Sequence, residues 1–109
     1  MKRALLLALA TTGLALAGCG GSTIGHACTL TSDCEFGQTC YTTPPGGYCT
    51  KGCASEGTSK DCPGGTVCAK SGSVLLCSVV CQNPEDCRTN YQCDAVPGSD
   101  QKACRPTPK

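Results

Sequence analysis

Twelve of the thirteen cysteines in this chain recur at nearly regular intervals between Cys28 and Cys104, and that spacing constrains the fold more than any other feature. Cys28, Cys34, Cys40 and Cys49 are separated by five, five and eight residues. Cys53, Cys62, Cys68 and Cys77 are separated by eight, five and eight, and Cys81, Cys87, Cys93 and Cys104 by five, five and ten. Three residues join each set of four to the next, Thr50-Lys51-Gly52 and then Ser78-Val79-Val80. The chain thus divides into three short units, residues 28–49, 53–77 and 81–104. Beyond the N-terminal leader the larger apolar residues are few, chiefly Ile24, Leu30, Phe36, Val67, Val74 to Leu76, Val79, Val80 and Val96. A chain this short with so little to bury is marginal without covalent help. Disulfides, each contributing about 2–4 kcal/mol, are the usual compensation. The expected fold class is small and disulfide-rich: three tandem four-cysteine modules with little regular secondary structure, only short helical turns and small β-hairpins.

Residues between the cysteines keep the same register. Asp33, Asp61 and Asp86 each precede the second cysteine of a unit, and Gly37, Gly65 and Asn90 each fall three residues after it. Gly and Asn tolerate positive φ best, so this position is expected to be a left-handed turn. Thr31-Ser32, Ser59-Lys60 and Asn83-Pro84-Glu85 supply helix-start signals, with Asn83 expected as N-cap and Pro84 at the first helical position. Turn formers follow each third cysteine, and Ser73 to Cys77 reads as a short strand. Each unit is therefore expected to run from helical turn to tight turn to small irregular hairpin.

Twelve cysteines allow thousands of pairings. Repetition favours pairing within units, and first-to-third with second-to-fourth would staple both halves of so short a segment. That gives Cys28–Cys40, Cys34–Cys49, Cys53–Cys68, Cys62–Cys77, Cys81–Cys93 and Cys87–Cys104. A second framing groups Cys34 to Cys53 and Cys62 to Cys81, whose spacings are identical, and leaves bonds between neighbouring units open.

The thirteenth cysteine belongs to a different pattern. Met1-Lys2-Arg3 is cationic, and Ala4 to Leu16 run without a charge. This has the form of a signal peptide and is short of the roughly 20 apolar residues a bilayer span needs. Ala15-Leu16-Ala17 would suit an ordinary signal peptidase. Leu16-Ala17-Gly18-Cys19 resembles the lipobox of bacterial lipoproteins in all four positions. That resemblance implies that residues 1–18 are a removed leader and that Cys19 carries lipid, which leaves an even twelve cysteines. Two or three acyl chains anchor a protein stably where one does not. Gly20, standing where an inner-membrane-retained lipoprotein has aspartate, implies an outer-membrane destination in a cell that has one.

The three Asp-Cys-x-x-Gly/Asn-x-x-Cys cores, taken with Leu16 to Cys19, resemble tandem cysteine-rich modules of exported bacterial proteins, especially small lipoproteins of predatory and soil-dwelling delta-class bacteria. A looser likeness, carried by Asp33-Cys34 to Cys40 and Gly47-Tyr48-Cys49, reaches the N-terminal cysteine-rich region of Dickkopf proteins and EGF or follistatin-type modules. The chain lacks the Cys-x-Cys step of an EGF repeat. These resemblances imply a scaffold rather than an activity.

Chemistry finds few footholds. Without Lys2 and Arg3 the chain has seven Lys/Arg against eight Asp/Glu, a formal net of −1, and no basic cluster for nucleic acid. His26 is the single histidine, so a Ser-His-Asp or Cys-His arrangement has one candidate base, placed in a loop. Only Cys49/Cys53 and Cys77/Cys81 approach zinc-knuckle spacing. Export favours oxidation over metal binding. Glu85-Asp86 and Asp33/Glu35 read as cap and turn residues, and no loop is dense enough in oxygen ligands for calcium. No enzyme, cofactor or metal is expected.

Two surfaces stand out. Tyr41 to Tyr48 is a disulfide-bounded loop with Pro44 and Pro45 between two tyrosines, a rigid candidate for binding. Val74 to Leu76 with Val79-Val80 is the most apolar stretch and is expected to form a core between units. The expected organisation is a lipid anchor at Cys19, a tether over residues 19–27, the cysteine-rich domain over 28–104 and a loose tail over 105–109. The expected function is an envelope lipoprotein, held in the membrane by lipid on Cys19, whose stapled domain binds an envelope or extracellular protein or glycan or serves a structural role. The second expectation is a protease inhibitor or toxin-like effector using the Tyr41–Tyr48 loop.

Overall fold

The computed structural model describes residues 23–108. The leader, the Leu16 to Cys19 motif and the lipidation residue Cys19 itself lie outside the described residues.

All twelve cysteines from Cys28 onward are paired, first to third and second to fourth within each unit. The bonds are Cys28–Cys40, Cys34–Cys49, Cys53–Cys68, Cys62–Cys77, Cys81–Cys93 and Cys87–Cys104. No bond crosses between units, so the second framing does not hold. The fold is small and disulfide-rich, as expected.

Each unit contributes one antiparallel hairpin: β1 (Thr39–Tyr41) with β2 (Tyr48–Thr50), β3 (Thr66–Ser71) with β4 (Val74–Cys81), and β5 (Tyr91–Ala95) with β6 (Lys102–Pro106). Third and fourth cysteines sit directly opposite one another: Cys40 faces Cys49, Cys68 faces Cys77, and Cys93 faces Cys104. They do not bond to each other. Opposed strand positions hold Cβ atoms about 4.5–5.5 Å apart, wide for a disulfide at roughly 3.5–4.5 Å. Each instead reaches back to the first half of its unit, so both strands are fixed to the turn that precedes them.

That first half is organised by the repeated aspartate. Asp33 accepts the Thr29 and Leu30 N–H groups, both at 2.9 Å, around a 3-10 turn at Thr31–Asp33. Asp86 accepts Gln82 N–H at 2.9 Å and Asn83 N–H at 3.1 Å around a 3-10 turn at Pro84–Asp86. Asn83 does occupy the N-cap position, but its side chain makes no cap bond; the aspartate closes the turn instead. In the second unit three extra residues lie between the first two cysteines, and only a hydrogen-bonded turn forms, Cys62 N–H to the Ser59 carbonyl at 3.1 Å. Asp61 still reaches the residue after the first cysteine, accepting Ala54 N–H at 3.1 Å. The extra length runs along β3, where Gly57 N–H donates to Cys68 and Cys68 N–H to Thr58, both at 2.8 Å. An edge open to foreign strands is thereby covered. Gly37, Gly65 and Asn90 all take positive φ, at 89°, 81° and 73°.

The hairpins are not independent modules. β4 continues through Ser78-Val79-Val80, expected as a joint, and pairs with β6 at Val80–Ala103 and Cys81–Lys102. Adjacent β-branched valines favour extended backbone, so β3-β4-β6-β5 becomes one sheet spanning two units. The first joint lies along the edge of β4: Cys77 N–H donates to Lys51, Cys53 N–H to Leu75, and Gly52 bridges Leu76. Thr50, fully buried, adds a 2.6 Å hydroxyl bond to the Cys77 carbonyl.

The core lies where the units meet. Ile24, Tyr48, Cys77 and Tyr91 form one buried cluster with Val79 packed on it; Val67, Ala69, Val96 and Ala103 form another with Val80. The Leu76, Val79 and Val80 part of the apolar stretch is core as expected, whereas Val74 is exposed. Residues 23–27, expected in the tether, belong to the domain: Ile24 is 3% exposed and Gly25 N–H donates to Cys49 at 2.8 Å. Ile24 completes the Tyr48–Tyr91 cluster, burying an apolar side chain that a free tether would leave in water. The tail is also partly structured, since Arg105 and Pro106 extend β6 and Thr107 N–H donates to Asn90.

Candidate binding site

Pro44-Pro45-Gly46-Gly47 is composed to turn sharply. Pro44 and Gly47 close a turn at 3.0 Å, and both glycines take positive φ, near 75°. At Gly47 a side chain would collide with the Cys28 backbone. The turn is held from outside by Arg88. Its guanidinium donates to the carbonyls of Gly47 at 2.7 Å, Gly25 at 2.9 Å and Pro45 at 3.0 Å, and lies 4.8 Å from the Tyr91 ring centre. The planar fork of arginine suits such convergent acceptors, where a lysine would supply only a point charge. Tyr91 adds a 2.8 Å hydroxyl bond to the Pro45 carbonyl.

These contacts change the standing of the candidate loop. Tyr48, expected at one end of a presented surface, is 5% exposed; its ring stacks on Tyr91 at 5.6 Å and its hydroxyl accepts Val79 N–H at 3.1 Å. Burial pushes its hydroxyl pKa above the ordinary tyrosine value, and that of Tyr91 likewise. Pro44 is buried and Pro45 half-buried, so Pro44, Pro45 and Tyr48 form a latch between the first and third units. Tyr41 is only half-buried and keeps an open face.

That face opens onto a groove of about 420 Å³. Tyr41, Thr43 and Pro44 form one wall, Ser73 and Val74 of the β3–β4 hairpin another, and Pro106 of β6 a third. All three units contribute, and no charged side chain lines it. A depression beside Lys51, Lys60 and Asp61 is larger but nearly flat. The groove thus joins two of the four expected residues, Tyr41 and Pro44, to Val74 and Pro106. Sequence reasoning missed Arg88, though a signal existed: it stands directly after a second cysteine, where the other units have Glu35 and Pro63.

Sulfur atoms of Cys28, Cys34 and Cys49, of Cys53, Cys62 and Cys77, and of Cys81, Cys87 and Cys93 lie within 4.8 Å of one another in each set. This is the approach of two neighbouring disulfides, and bonded sulfur has no thiolate to offer a metal. His26 is exposed, and its backbone carbonyl accepts Cys49 N–H. Asp33 and Asp86 are held below the ordinary carboxylate range by the N–H groups of Thr29 and Leu30 and of Gln82 and Asn83. Among the described residues no helix is long and apolar enough to cross a membrane. Comparison with family models, curated proteins and solved structures finds no match.

Proposed function

We propose that the chain is a lipid-anchored envelope protein of the bacterial lipoprotein type, whose stapled domain binds a neutral, extended segment of a partner protein in the groove between Tyr41, Val74 and Pro106. The observation that carries the binding reading is the groove itself. An aromatic face, two prolines and a valine offer apolar contact, while Thr43 and Ser73 offer hydrogen bonds without charge. Disulfides within each contributing unit fix the walls in advance, which lowers the entropic cost of binding. Anchorage rests on the Leu16-Ala17-Gly18-Cys19 motif behind an apolar leader.

Photocrosslinking on intact cells tests this reading. A photoreactive residue in place of Val74 is expected to capture one discrete partner, and Tyr41→Ser across the groove is expected to suppress that capture while disulfide mass and circular dichroism stay unchanged. Capture that ignores Tyr41 would overturn the groove as the site. The inhibitor reading draws less support, because it needs the Tyr41–Tyr48 loop presented at its apex. There Pro44 is buried and the Pro45 carbonyl is already engaged by Arg88 and Tyr91.

A further inference from the structure

Phe36 stands out on the surface. Its side chain is fully exposed, at 108% of the reference area, in a chain with only four aromatic residues. Leu30, in the same strand-free segment, is 64% exposed. The segment is not loose: Asp33 closes its turn, Cys34 ties it to Cys49, and Gly37 reverses the chain at φ 89°. Phe36 is therefore displayed by a braced loop rather than left on a frayed end.

Its position relative to the chain entry is specific. Thr23, the first described residue, is bound to this same loop: its hydroxyl donates to the Gln38 side chain at 2.6 Å and accepts Glu35 N–H at 3.2 Å. Glu35 is the neighbour of Phe36, so the chain enters the domain at the edge where the phenyl ring projects. Because residues 23–27 are packed into the domain, little chain separates it from the proposed anchor: Thr23 lies only four positions after Cys19. Fully extended, that length reaches about 14 Å at most.

We infer that Phe36 is a membrane-contact residue, inserting at the lipid–water interface and setting the orientation of the anchored domain. The inference rests on the proposed acylation of Cys19. A single ring would not hold a free domain at a bilayer. Beside a lipid anchor the contact becomes intramolecular, at an effective concentration set by the short tether, and a weak contact then suffices. Phenylalanine is among the side chains that surface-bound segments bury at the boundary between headgroups and acyl chains. Asp33 and Glu35 flank the ring and are exposed, so the contact suits a weakly charged lipid surface better than a strongly anionic one.

The chain has no tryptophan, so Phe36→Trp supplies a unique probe. The full-length variant is purified from its host membranes, its intact mass measured, and the protein reconstituted in phosphatidylcholine vesicles with and without brominated acyl chains. Val74→Trp, exposed on another unit, is the comparison. An acylated Phe36→Trp protein whose indole emission is blue-shifted and quenched several-fold more by bromolipid than that of the Val74→Trp variant supports the inference. An acylated Phe36→Trp protein whose indole is solvent-like, or blue-shifted without bromolipid quenching because protein covers it, overturns the membrane contact alone. A mass without acyl chains overturns the anchor and the contact together.

Discussion

Arg88 and Gly47 are 41 residues apart, yet the guanidinium donates to the Gly47 carbonyl at 2.7 Å, the shortest of three bonds it makes to backbone oxygens of the first unit and its lead-in. No disulfide joins the first unit to the third; this cation, the Tyr48–Tyr91 stack and the Tyr91 hydroxyl bond to the Pro45 carbonyl hold them together. Arg88→Ala removes the guanidinium donor from the part-buried carbonyls of Gly25 and Gly47 and leaves Pro45 only its bond from Tyr91. With charged hydrogen bonds worth about 1.5–3 kcal/mol each and not additive, a loss of about 3 kcal/mol is expected. Arg88→Lys should recover less than half of it, lacking the fork. Denaturant midpoints of the oxidised proteins measure both, and an unchanged Arg88→Ala midpoint would remove the latch from the account.

What the sequence makes legible follows from what repeats. Cysteine, aspartate and the Gly37/Gly65/Asn90 position keep their identity because each does the same local task three times, and pairing, turns and hairpins could be read from them. Packing positions repeat without repeating their residues. The residue before each fourth cysteine is buried in every unit, but it is Tyr48, Leu76 and then Ala103; two before each third cysteine it is Gln38, Thr66 and Tyr91. Each meets a different neighbour, so each differs. The assembly of units was legible only in part. The apolar Val79-Val80 run pointed to a core between units, but Arg88 and Ile24 have no counterparts in the repeat to compare, and the contacts they make join residues far apart in the chain. The groove inherits that obscurity, since Tyr41 and Pro44 meet Pro106 only through this assembly.

Acid should loosen the first and third units first at their turns. Asp33 and Asp86 have folded pKa values below the unfolded one, through N–H donation by Thr29 and Leu30 and by Gln82 and Asn83. A depressed carboxylate contributes stability that is fully present above the unfolded value, about 3.9, and is lost as pH falls through the folded one. Carboxyl carbon chemical shifts followed by NMR are expected to place both titrations below the free-aspartate value. Two ordinary midpoints would mean the caps do not hold in solution.

At the alkaline end the sign reverses. Burial raises the Tyr48 pKa, so the neutral hydroxyl is the form the fold prefers; its stabilisation is intact below about pH 10 and lost as pH climbs through the raised value. Phenolate absorbance should show Tyr48 ionising late and together with loss of structure. Tyr48→Phe abolishes that transition and leaves Val79 N–H without its partner, a cost of about 1–2 kcal/mol. A Tyr48→Phe protein as stable as the parent would mean that water replaces the hydroxyl.

Gly37 and Gly47 share a positive φ but not an environment, which separates backbone strain from collision. At Gly37 an added Cβ meets nothing within 4 Å, so Gly37→Ala should cost only the left-handed penalty, about 1–2 kcal/mol. Asn90 shows that an L residue can take the corresponding turn in the third unit. At Gly47 the same Cβ strikes the Cys28 carbonyl, whose N–H is bound to Gly46 and whose sulfur is bonded to Cys40. Neither anchor lets Cys28 retreat, so Gly47→Ala adds an overpacking cost of about 1–3 kcal/mol to the strain and shifts the turn that Arg88 grips. Thermal unfolding of the two variants is expected to rank Gly47→Ala well below Gly37→Ala. Adding Arg88→Ala to each should then cost less in the Gly47→Ala background, because the latch it removes is already displaced, while in the Gly37→Ala background the two losses should simply add.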